Sequence, residues 1–113
     1  MCTKNELMQI LDKMVLAYRN VYQDDIVEIY LYGSYARGDY TSESDIDIVA
    51  IVQGKRAMLQ NRLKMIWNMA ADIGLDYEVI VSPTVIPAHE FENYKEILPY
   101  YKNIVEEGVK LSA

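Results

Sequence analysis

Gly33-Ser34 and Asp45-x-Asp47 are the residues of this 113-residue chain whose types and spacing could do chemistry. A Gly-Ser pair that ends a strand and opens a turn offers main-chain N–H groups and a hydroxyl to an anion, and the bare Gly33 lets a phosphate approach the backbone. Asp45 and Asp47, two apart on an extended segment, project to one side. Unaided, carboxylates ~4 Å apart would repel by about 4 kcal/mol at an effective dielectric near ~20. A divalent ion offsets that repulsion. Magnesium takes one or two carboxylates and completes its shell with water and substrate phosphates. A phosphate seat beside a metal pair points to chemistry on a polyphosphate, in which the metal polarises phosphoryl oxygens and stabilises the departing pyrophosphate.

Elements must position these residues. Thr3-Lys4-Asn5-Glu6 has the capping-box form, and Leu7, Ile10, Leu11, Met14 and Tyr18 recur behind it at helical spacing, so a first amphipathic helix is expected. Ile26 to Tyr32, β-branched and aromatic and closed by Gly33, reads as a buried strand. Asp45 to Val52 reads as a second strand, with Asp45, Asp47, Val49 and Ile51 on one face and Ile46, Ile48, Ala50 and Val52 on the other. After Gly54, the stripe Leu59, Leu63, Ile66, Trp67, Ala70 and Ile73 marks a long core-facing helix that Gly74 can end as a left-handed cap. A third strand is expected from about Leu75 to Ser82, with Leu75, Tyr77, Val79 and Val81 on one face, Asp76, Glu78, Ile80 and Ser82 on the other, and Pro83 ending it. Pro87 and Pro99 suit the starts of short helices, leaving Phe91, Tyr94, Ile97, Leu98, Ile104 and Val105 to cover the sheet.

The composition, 51% hydrophobic and 25% charged, is that of an ordinary globular protein, and residues 1–113 are expected to form one domain. No apolar run approaches the roughly 18 residues of a membrane span, and the start of the chain lacks a signal-peptide layout, so a cytoplasmic protein is expected. Cys2 is the single cysteine and reads as an incidental reduced thiol. A net charge of −6 argues against stable nucleic-acid binding through phosphate neutralisation and suits a basic partner. His89, the single histidine, reads as a surface or packing residue. Tyr35 and Tyr40 flank the motif and could touch a base or accept a nucleotide.

Gly33-Ser34, ten intervening residues and Asp45-x-Asp47 match the GSx10DxD signature of the polymerase-β-like nucleotidyltransferase superfamily, and Gly-Ser-Tyr-Ala-Arg-Gly with Ser-Asp-Ile-Asp resembles its minimal (MNT) branch. The ending Ile104-Val105-Glu106-Glu107-Gly108-Val109-Lys110-Leu111 is similar too, so the resemblance spans essentially the whole chain. It implies an α/β (α+β) fold, a small mixed sheet flanked by helices, with two magnesium ions and ATP as donor. It also assigns triphosphate binding to Gly33 and Ser34, and metal binding and catalysis to Asp45 and Asp47. A third carboxylate, base and metal ligand in the family, is expected from a neighbouring strand. Glu78, in its Tyr-Glu-Val context, resembles that position better, and Asp76 on the same face is the alternative. Arg37 matches the branch pattern and could pair with a triphosphate oxygen, Asp39 or Glu43. Ser44 matches it as a turn or cap residue.

The resemblance further implies the antitoxin half of a HEPN/MNT toxin–antitoxin pair, which transfers AMP to a tyrosine of a HEPN partner; an oligomer is compatible with this. Two other readings stay open. One is nucleotidyl transfer to a small molecule such as an aminoglycoside, although the extra helical region of those enzymes has no counterpart here. The other is an antitoxin that binds nucleotide or protein with little catalysis.

Overall fold

The computed structural model describes residues 3–111; Cys2 lies outside the described residues. Helix α1 (Lys4–Tyr22) starts at the expected capping box, with the Glu6 N–H donating to Thr3 Oγ1 at 3.1 Å and the Thr3 N–H to Glu6 Oε1 at 2.9 Å. Strand β1 (Ile26–Tyr32), the one-turn helix α2 (Ser34–Arg37), β2 (Ile46–Val52), α3 (Arg56–Tyr77), β3 (Val81–Pro87), α4 (Ala88–Tyr94), α5 (Pro99–Glu107) and β4 (Val109–Leu111) follow. The sheet runs β3-β2-β1-β4. β1 is antiparallel to both its neighbours, whereas β2 and β3 are parallel and joined through α3. The expected mixed sheet flanked by helices is therefore present.

The alternation in β2 divides the core as the sequence suggests. Ile46, Ile48, Ala50 and Val52 pack with Ile10, Met14, Tyr18, Leu59, Leu63 and Ile66, from α1 and α3. Val49 and Ile51 pack on the opposite face with Phe91, Tyr101 and Ile104, from α4 and α5. Tyr18 fixes α1 across the parallel pair. Its buried hydroxyl donates to the Thr84 carbonyl at 2.9 Å, with the Ile48 carbonyl at 3.2 Å, and accepts the Thr84 N–H at 3.1 Å.

Five expectations are corrected. Residues 75–77 are helical, so the third strand begins at Val81 rather than near Leu75. The alternating pattern there is overridden by contacts with α1: the Tyr77 hydroxyl donates to Gln9 at 2.8 Å, and the Lys13 ammonium lies 5.3 Å from the Tyr77 ring centre. Gly74 is not the left-handed cap. That conformation falls on Glu78 (φ 56°, ψ 47°), while Gly74 makes room for the returning chain, since a Cβ on it would meet the Val79 carbonyl oxygen at 2.5 Å.

Pro83 lies inside β3 instead of ending it. β3 is an edge strand, and the ladder opens with the Ile46 N–H donating to the Ile80 carbonyl at 2.8 Å. Alternate residues from Ile80 therefore turn to β2, and the nitrogens of Pro83 and Pro87 fall on the outer edge, where no donor is needed. Trp67 is 48% exposed, because it sits one residue, about 100°, past the Ile66 that the core holds. In the last third, Phe91 and Ile104 are buried as expected, but Tyr94, Ile97, Leu98 and Val105 are exposed, and Tyr101 supplies the cover instead. Among the described residues, no helix is long and apolar enough to cross a membrane.

Candidate functional site

β1 and β2 bring the two halves of the motif together. Tyr32, the last residue of β1, is paired with Asp47 near the start of β2, and Gly33 follows at once. Gly33 has φ +76°, and its carbonyl accepts the N–H groups of Ala36 and Arg37, both at 3.1 Å, which winds the chain into α2. Ser34 thus opens the helix, where a main-chain N–H has no acceptor within the helix. The Gly33 backbone lies directly against the Asp47 carboxylate: a Cβ there would fall 2.7 Å from Asp47 Oδ2.

Asp45 immediately precedes β2, and Asp47 is half-buried within it. Burial, and secondarily the charge of Asp45, push the Asp47 carboxyl above the usual carboxylate range. Among the described residues, no lysine or arginine forms an ion pair with either aspartate. An unrelieved pair of carboxylates, one of them half-buried, fits a hard divalent cation that would finish its shell with phosphate and water oxygens. No group of three His, Cys, Asp or Glu side chains suited to a metal occurs among the described residues.

The expected third carboxylate does not come from β3. Ser82 is the residue in register with Asp47, and Thr84 pairs with Val49 on the same face. Glu78 and Asp76 are both exposed, Glu78 at the end of α3 and Asp76 within its last turn, so the strand face assigned to them does not exist. Arg37 is engaged locally, with Nε 3.2 Å from Asp39 and Nη1 3.6 Å from Glu107 of α5. The hydrogen bond to Asp39, chiefly, raises its pKa. Ser44 holds the connecting loop as a turn residue: its hydroxyl accepts the Thr41 N–H at 2.9 Å, and its own N–H donates to the Thr41 carbonyl at 3.1 Å. Tyr35 is buried under Tyr40, the rings stacked 4.3 Å apart and 5° from parallel. His89 is exposed on α4.

Tyr100 is the site residue that sequence reasoning passed over. From the first turn of α5 its ring meets that of Tyr32 edge-on at 5.5 Å. Burial, then the neighbouring Tyr32 and Asp47, raise its pKa. Nothing in the local pattern around Pro99-Tyr100-Tyr101 points to a carboxylate more than 50 positions away.

Residues 9–111 match the model of the nucleotidyltransferase domain family. The chain belongs to that family. As a nucleotidyltransferase it is 32% identical over 96 residues to a Methanocaldococcus jannaschii protein provisionally named a protein adenylyltransferase, covering 85% of this chain and 88% of that one. A second relative of the same organism and the same provisional name is 32% identical over 110 residues, covering 96% of this chain and 97% of that one. Among solved structures, a chain of a toxin–antitoxin with AMP-PNP superposes with a TM-score of 0.56 at 19% identity, over 91% of this nucleotidyltransferase and 73% of that chain. At that identity the likeness is one of fold.

Proposed function

We propose that this nucleotidyltransferase transfers AMP from ATP to a hydroxyl of a partner protein, a tyrosine of a HEPN toxin, and so acts as the antitoxin of a pair. The observation that carries the reading is the contact between the Gly33 backbone and the Asp47 carboxylate, which sets a phosphate-binding turn and a metal-binding pair side by side. Supporting it are the protein adenylyltransferase names of the relatives and the toxin–antitoxin assembly in which the structural neighbour was crystallised.

Gly33 and Ser34 would seat the triphosphate, and Asp45 and Asp47 would hold magnesium, whose chemistry is to polarise the α-phosphoryl oxygens and stabilise pyrophosphate. Arg37 reaches a phosphate oxygen only by giving up Asp39 and Glu107. The acceptor hydroxyl approaches from the side bounded by Ser82, Thr84 and Tyr100. Its oxygen bonds to the α-phosphorus as the bond to the β-phosphate oxygen breaks. With Ser82 rather than a carboxylate in register with Asp47, the two aspartates are better matched to one ion than to two.

The same Ser82 favours a second reading, nucleotide-dependent binding of the toxin with little turnover. Incubation with ATP, magnesium and the product of the neighbouring gene separates the two. The expected intact-mass result is a partner heavier by one AMP, a gain that Asp45→Ala with Asp47→Ala should abolish. A partner that binds but never gains mass in the presence of bound ATP establishes the second reading instead.

A further inference from the structure

We infer that Tyr100 is itself an acceptor, so that this chain writes AMP onto its own α5. The inference rests on the nucleotidyl-transfer reading above and adds a modification site to it. Three observations converge on this tyrosine. It packs on Tyr32, the cross-strand partner of Asp47, and so stands on the sheet face that Asp47 and Ser82 share. Its ring is braced edge-on by Tyr32, whose main chain runs directly into Gly33, so the phenol packs against the strand end that carries the phosphate seat. The residue is 42% exposed, which leaves room beside it for a nucleotide.

Five of the other tyrosines are placed differently. Tyr18 and Tyr22 have their hydroxyls on main-chain carbonyls inside the core. Tyr101 donates to Glu90 and Tyr77 to Gln9, while Tyr35 is covered by Tyr40. In the proposed step the Tyr100 Oη forms a bond to the α-phosphorus of ATP, and the bond from that phosphorus to the β-phosphate oxygen breaks. Pyrophosphate leaves with the electron pair, and the phenolic proton passes to water on the exposed side. With Ser82 and Thr84 on β3, the phenol is the nucleophile the fold itself supplies on the acceptor side.

The test uses the full chain alone, with magnesium and ATP radiolabelled at the α-phosphate, followed by intact-mass measurement and peptide sequencing. The expected result is one AMP on Tyr100, with incorporation by Tyr100→Phe reduced to the level of the Asp45→Ala, Asp47→Ala chain. A second measurement needs no turnover: in EDTA, AMP-PNP shifts the ring resonances assigned to Tyr100 by their loss in Tyr100→Phe. Label on another residue, or unmoved Tyr100 resonances at saturating AMP-PNP, overturns the inference. A chain that labels the toxin but never itself overturns it while leaving the proposed function intact. A chain that labels neither removes the proposed function as well.

Discussion

A methyl group at position 33 would land 2.7 Å from Asp47 Oδ2, on a backbone whose φ of +76° already disfavours any side chain. Gly33→Ala therefore carries a backbone cost of about 1–3 kcal/mol and moves the Asp47 carboxylate as well. A lower urea midpoint together with at least tenfold weaker AMP-PNP binding is expected, and a loss of stability alone would separate Gly33 from the nucleotide. Asp47 gives a prediction of opposite sign. Its folded pKa is raised, so its contribution to stability is full below the unfolded carboxylate value near ~4 and is lost as pH rises through the folded value. At pH 7 without metal the folded chain carries an unfavourable charge. Asp47→Asn should raise Tm in EDTA by roughly 1–3 °C, a modest figure because water still screens the half-buried group. That gain should vanish below pH ~4. Magnesium with AMP-PNP should raise the Tm of the wild type but leave the variant where it was, and the variant should not transfer AMP.

β1, β2 and the capping box of α1 were legible in the sequence because local pattern and tertiary demand agree there: Asp45 to Val52 alternates, and each face of the observed strand meets a different helical layer. β3 was misplaced because Leu75 to Ser82 alternates just as well, while the contacts that keep residues 75–77 helical, Tyr77 with Gln9 and Lys13, come from α1, some 65 residues earlier. β4 was unread, being three residues long with Lys110 at its centre. The same shift takes Glu78 and Asp76 off the strand face expected for them, and the role of Glu78 can be tested from both sides. Glu78 holds a left-handed cap that glycine fills without strain, so Glu78→Gly should be neutral or stabilising by up to about 1 kcal/mol and should not impair transfer. A collapse of transfer in a folded Glu78→Gly chain would restore Glu78 as the base. Ser82→Asp puts a carboxylate in register with Asp47 and should tighten magnesium binding, measurable by titration calorimetry in the presence of AMP-PNP.

Across the whole molecule, two buried phenols tie the helical layer to the sheet and to itself, and both set a limit on alkaline stability. The Tyr18 hydroxyl joins α1 to the edges of β2 and β3, and the Tyr22 hydroxyl donates to the Leu59 carbonyl of α3 at 2.6 Å. Burial holds Tyr18 well above the ordinary phenol value and pushes Tyr22 up to about 12. A raised folded pKa means that the fold prefers the neutral phenol. Stability from these groups is thus complete below the unfolded value near ~10 and is lost as pH climbs from there through the folded values. The urea-unfolding free energy should be nearly flat from pH 7 to 9 and then fall, each fully coupled group adding a slope of about 1.4 kcal/mol per pH unit. The net charge of −6 becomes more negative over the same range as lysines neutralise, and self-repulsion acts in the same direction. Salt separates the two causes, because added electrolyte screens repulsion between surface charges but does little for a phenolate that must be created in the core. Tyr22→Phe should therefore begin less stable at pH 8, having lost the bond to Leu59, yet show a shallower alkaline slope than the wild type in high salt. Equal slopes for the two chains would assign the alkaline transition to net charge rather than to the buried tyrosine.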